Sequence, residues 1–157
     1  RSQGIPVGAY HFFSTKCSGA EQAYYFLANT RLAKGDLPPV LDVEPNDAQI
    51  VQMGGVEKMF DEIRQWLTIV EERTGTRPLL YVNQRFVNVY IVQAPDLKEN
   101  YHFWIARYGE YKPDVHLALW QLSADGSVAG IHGHVDLNVF NGYDVHWQEF
   151  LRESTIK

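Results

Sequence analysis

The sequence predicts an α/β fold: a mostly parallel sheet with helical crossovers, curved as an incomplete barrel of the (β/α) type. Three observations lead there. Apolar runs rich in β-formers alternate with segments of helical period, in the order β-α-β-α-β-(α)-β-β-β. Strands joined through helices pair in parallel, with right-handed crossovers. Six strands can be counted, against the eight of a closed (β/α) barrel.

The elements follow from local chemistry. Residues 7–13 (VGAYHFF) form the first expected strand, apolar throughout. Ser18 and Glu21 then have capping-box spacing, opening a helix over residues 20–33 that is expected to stop near Gly35. Pro38-Pro39 precedes the second strand, residues 40–44 (VLDVE), and a polar loop follows. Val56, Met59, Phe60, Ile63, Leu67 and Val70 recur at helical spacing with Trp66 on the same stripe, so this helix faces the core and ends near Gly75.

Residues 79–83 (LLYVN) are the third strand, followed by a short helix around residues 85–92. Three further strands are expected at residues 102–108, 117–123 and 135–140. Asp125-Gly126 is a turn signal between the last two. Residues 146–152 suit a closing helix. One domain spanning all 157 residues, short of its first strands, is the expected organisation.

Composition narrows the function. Net charge is −5 and the basic residues are scattered, which argues against a nucleic-acid partner. No apolar run nears the ~20 residues that span a bilayer, so no membrane partner is expected. Cys17 is the single cysteine, excluding an intrachain disulfide. The aromatic share is 13%, and such rings either fill a core or form flat platforms for sugars.

The most informative segment is Pro38-Pro39-Val40-Leu41-Asp42-Val43-Glu44. Side chains two apart on a strand share a face, with Cα atoms about 6.6–6.8 Å apart. Asp42 and Glu44 therefore project together, at the strand end where barrels carry their chemistry. Two acids side by side in a partly apolar mouth disfavour each other's charge, and one is expected to keep its proton at neutral pH. An acid beside a carboxylate is what glycosidic bond cleavage needs. The same short motif also serves to end a strand and cap a loop, and by itself it leaves both readings open. Asp136 in the last strand, with Asn138 two residues on, either enters the same mouth from the far side or satisfies a nearby turn.

The motifs GAYHFF, PPVLDVE, LLYVN, FWIARY, LWQLS and GHVDLNVFNG occur in this order from Gly8 to Gly142. Together they resemble the ordered strand motifs of the glycoside hydrolase family 25 lysozymes. That resemblance implies a TIM-like (β/α)5(β)3 barrel that hydrolyses the β-1,4 bond between N-acetylmuramic acid and N-acetylglucosamine in peptidoglycan. It implies Glu44 as proton donor, Asp42 as its partner, and Asp136 as a further active-site acid. It also implies that Tyr10, Phe12, Tyr81, Trp104, Tyr108, Trp120 and Asn138 line the substrate groove. The family opens with an Asp-x-Ser strand and a nearby Gln-Gly; no Asp-x-Ser precedes Gly8. The implied protein is a monomer, secreted or wall-associated, acting on glycan strands without a cofactor or metal.

Two other readings compete. One is a non-catalytic glycan-binding module derived from the same barrel. The other is a metal-dependent hydrolase, because His132, His134 and Asp136 alternate and, on a strand, would share a face.

Overall fold

The computed structural model describes residues 2–106 and 115–157. Its sheet has six strands in sequence order: β1 (Tyr10–Phe12), β2 (Val40–Asp42), β3 (Leu79–Asn83), β4 (Phe103–Ala106), β5 (Leu117–Gly126) and β6 (Val135–Phe140). Strands β1 to β5 pair in parallel, and β6 returns antiparallel along β5. The helices are α1 (Gly19–Asn29), α2 (Asp47–Gln52), α3 (Val56–Thr74), α4 (Gln84–Val89), α5 (Pro95–Asn100) and α6 (Asp144–Ser154). One cleft is lined from all six strands, so the sheet curls into a half-barrel.

Alternation sorts the side chains. Leu41, Val43, Leu80, Val82, Phe103 and Ile105 join the apolar stripes of α1 and α3 in the main core. Burying each such side chain is worth about 1.5–3 kcal/mol, which makes this layer the chief stabiliser of the half-barrel. Val40, Leu79 and Ala118 belong to a second, smaller cluster with Phe150 of α6, against which Tyr81 and Trp104 rest. Trp66 is fully buried, stacked on His11 at 5.9 Å between ring centroids. No helix among the described residues is long and apolar enough to cross a membrane.

The caps follow the sequence closely. Ser18 and Glu21 make the reciprocal capping box, and Gly75 closes α3 at φ 65°, its N–H donating to the Glu71 carbonyl. Helix α1 ends earlier than its pattern suggests. Thr30 turns extended, and both its N–H and its hydroxyl bond back to the Phe26 carbonyl, so the chain leaves the helix before Gly35. Helices α2 and α5 replace expected loop. Asn46 and Gln49 form a second capping box, and Pro95 sits in the first turn of α5. Asp125-Gly126 is not a turn but the end of β5, with Gly126 opposite Val135. A Cβ there would lie 2.7 Å from the Val135 carbonyl oxygen, so the glycine serves close strand approach.

Candidate active site

The parallel register sets the site. Phe12 pairs with Asp42, Asp42 with Tyr81, and Tyr81 with Trp104, which lays four side chains in one row across the concave face. The next row brings Ala106 beside Gln121 and Gln121 beside Asn138. A cleft of about 260 Å³ opens over these rows, lined by Tyr10, Val40, Asp42, Glu44, Tyr81, Trp104, Gln121 and Asp136.

Both acids of the D-x-E pair thus reach one cleft, although regular β2 stops at Asp42 and Glu44 lies just beyond it. Val43 between them is fully buried in the main core. Asp42 is half-buried, and its Oδ1 is sealed from solvent without a hydrogen-bond partner in the protein. Burial, then the charge of Glu44 and the hydrogen bond between the two, push the Asp42 carboxyl up to about 7. Asp42 is thus driven toward its protonated form and is divided between the two forms near neutral pH. Asp136 is exposed on β6 and faces the cleft across from them.

The walls are tied to one another. The Tyr81 hydroxyl donates to the Gln121 amide oxygen. The Tyr81 and Trp104 rings meet edge to face at 5.2 Å. The Trp104 indole N–H donates to the Asn138 side-chain oxygen at 2.9 Å. Asn138 therefore steadies a cleft wall rather than lining the cleft itself. Tyr10 lines the cleft with 68% of its surface exposed. Phe12 is turned into an adjoining hollow that it shares with Glu44.

Two expectations need correction. Trp120 was expected on the groove, but it packs partly buried against the main core on the other face. The cause is a bulge. Phe103 pairs with Leu117 but Trp104 with Leu119, so β5 holds one extra residue and its alternation reverses beyond it. Strict alternation from Leu117 puts Trp120 inward; after the bulge Gln121 takes that direction. Gln121 went unnoticed in the sequence, although a lone polar residue in the run LALWQL that ends up buried must find a partner. The alternating metal-ligand pattern fails as well. His132 and His134 lie in the loop before β6, not on a strand. Among the described residues no three His, Cys, Asp or Glu side chains gather to hold an ion. Tyr108 lies outside the described residues.

The raised Asp42 pKa has a consequence for stability. Folded Asp42 binds its proton more tightly than an unfolded aspartate of pKa about 3.9. Its neutral form therefore favours folding fully at low pH, and that contribution fades as pH rises from about 4 to about 7. Asp42→Asn should remove this slope. Thermal melts at intervals from pH 4 to 8 are expected to show the variant gaining on the parent as pH rises and then running level above 7. Parallel curves for the two proteins would refute the shift.

Paired acids at the end of a parallel strand, in an aromatic-walled cleft of a curled sheet, have the arrangement that glycosidic bond cleavage in an α/β barrel requires. The chain belongs to glycosyl hydrolases family 25, whose profile matches residues 1–131. It is 36% identical over 154 residues to Escherichia coli (strain K12) YegX, covering 96% of this chain and 54% of that protein. It is 33% identical over 149 residues to lysozyme M1 of Streptomyces globisporus, covering 88% of this chain and 51% of that one. The chain thus spans about half the length of these relatives. Among solved structures, the bacterial lysozyme from Streptomyces coelicolor superposes with a TM-score of 0.79 at 30% identity, covering 98% of this chain and 74% of that one.

Proposed function

We propose that the protein is a muramidase, hydrolysing the β-1,4 bond between N-acetylmuramic acid and N-acetylglucosamine in peptidoglycan. The carrying observation is that both acids reach one cleft, with the Asp42 carboxyl pushed up to about 7 beside Glu44. Family membership and the likeness to lysozyme M1 support the same reading. We read the six strands as part of a (β/α)5(β)3 barrel, acting outside the cell or at its wall.

The proposed chemistry is substrate-assisted. The 2-acetamido oxygen of the muramic residue attacks its own anomeric carbon while the bond to the leaving oxygen breaks. Asp42, on the cleft wall, meets the acetamido N–H. As positive charge grows on the forming oxazolinium, Asp42 is better off ionised, and its proton passes to Glu44. Glu44 protonates the leaving oxygen, then takes a proton from the water that opens the oxazolinium ring, so configuration is retained overall. Tyr10, Tyr81 and Trp104 hold the sugar rings, Gln121 and Asn138 hold the aromatic walls, and Asp136 closes the cleft opposite the pair.

The test is direct. Incubation with purified peptidoglycan should release reducing ends borne by N-acetylmuramic acid, identified by mass spectrometry, and early NMR spectra should show the β anomer first. Binding to the sacculus with no new reducing ends would instead support a glycan-binding module. Clean inversion would exclude the acetamido route.

A further inference from the structure

Beyond Glu44 the chain enters α2, whose first residue is tied to α4. The Asp47 carboxylate accepts both arms of the Arg85 guanidinium, at 2.9 and 2.8 Å, and the Tyr90 hydroxyl at 2.6 Å. We propose that Asp47, Arg85 and Tyr90 are positioning residues, a brace that holds the backbone carrying Glu44 so that its carboxyl stays against Asp42. None of the three lines the cleft. The inference rests on the muramidase reading and names residues that serve its acid without touching the sugar.

The brace meets the one weakly anchored side of Glu44. Before it, Val43 is fully buried and its N–H donates to the Tyr81 carbonyl, while the Asp42 carbonyl accepts from the Phe13 N–H. After it, Pro45 has a fixed φ, and Asn46 is locked to Gln49 by reciprocal bonds of 2.9 Å. That box ties Asn46 to α2 but not α2 to the sheet. Helix α2 is only six residues long and buries one side chain, Ile50. Asp47 supplies the missing tie.

The far end of the brace is firm. Helix α4 follows β3 directly, the Asn83 side chain accepts from the Phe86 N–H at 2.8 Å, and Phe86, Val87 and Tyr90 lie in the main core. The Arg85 guanidinium rests over the Tyr90 ring, 5.7 Å from its centroid. Glu44 is thereby referenced to β3, the strand whose Tyr81 walls the cleft. A two-armed guanidinium fixes orientation as well as distance. Asp47 and Arg85 are both more than half exposed, so the pair adds little stability; what it supplies is geometry. The bonds from Tyr90 and then Arg85 hold the Asp47 carboxyl below the usual aspartate range, so the brace keeps its charge while the cleft acids titrate.

Asp42 reports on the brace. Burial comes first in raising its carboxyl, then the charge of Glu44 and the hydrogen bond between them. Glu44, Asp136, Tyr10 and Tyr81 are the titratable groups that share its cleft. A Glu44 set loose by Asp47→Ala stands farther from Asp42. The Asp42 titration midpoint, followed by carboxyl ¹³C NMR in the free protein, should therefore move down from about 7. On peptidoglycan, kcat should fall roughly tenfold with KM nearly unchanged, within the ~10²-fold that an ångström of misplacement costs. Adding Arg85→Ala to Asp47→Ala should cost nothing further, because the two act as a unit. Asp96→Ala breaks a two-armed pair of the same kind, with Arg64, outside the cleft and should change neither quantity. An unmoved midpoint in Asp47→Ala overturns the brace, and a moved midpoint with unchanged kcat overturns its positioning role. A parent that releases no reducing ends removes the muramidase reading and that role with it; the midpoint depends on no activity and separates the two failures.

Discussion

Glu44→Gln is expected to lower kcat on peptidoglycan by about 10²–10⁴-fold while leaving KM nearly unchanged. The amide matches the carboxyl in size and hydrogen-bonding reach, so substrate binding should be kept. What disappears is the proton delivered as the glycosidic bond breaks. A contact made only in the transition state lowers kcat and kcat/KM together. Glu44 is solvent-exposed at the cleft edge and holds no core contact, so the variant should melt like the parent. Initial rates of reducing-end release across substrate concentrations, with a melting curve on the same sample, make the measurement. Turnover within a few-fold of the parent would remove Glu44 from the role.

Gly19→Ala should destabilise the fold by about 3 kcal/mol or more. Gly19 opens α1 where it crosses α3, and its N–H donates to the buried Glu62 carboxylate at 2.6 Å. That carboxylate also pairs with Lys58 at 2.5 Å. A Cβ on residue 19 would stand 1.8 Å from the Glu62 carbonyl oxygen and 2.7 Å from its carbonyl carbon. Both are backbone atoms inside the nineteen-residue helix α3, which cannot step aside. Helix α1 must lift instead, parting Ala23 and Phe26 from Trp66 and loosening the Gln22 clamp on Ser14. For a chain of this size the midpoint should drop by roughly 6–12 °C. A melting temperature within a degree or two of the parent would show that the helices separate at little cost.

The two variants probe different distances in the sequence. Glu44 and Asp42 are neighbours, and their shared face follows from the strand period alone. Gly19 and Glu62 are far apart in the chain, and nothing near Gly19 announces a crossing helix. It reads as an ordinary small residue after a cap. The aromatics expected on the groove fall in between. Tyr10, Tyr81 and Trp104 obey alternation and do line the cleft, whereas Phe12 obeys it and still turns its ring aside into the hollow beyond Glu44.

By itself the sequence determined what depends on nearest neighbours along the chain. Strand β3 has the predicted ends, the capping box of Ser18 and Glu21 forms, α3 buries its expected stripe and stops at Gly75, and the D-x-E acids reach one mouth. These features are set by backbone period and by hydrogen bonds a few residues long. Tertiary structure alone decided that Trp120 faces the core and Gln121 the cleft, because a bulge arises only when β5 is laid against β4. It alone decided that the Asp42 carboxyl is pushed up, because desolvation is imposed by the strands on either side and not by the motif. A local pattern specifies direction and spacing; how deeply a group is buried, and against what, is settled by residues that meet only when the sheet has closed around it.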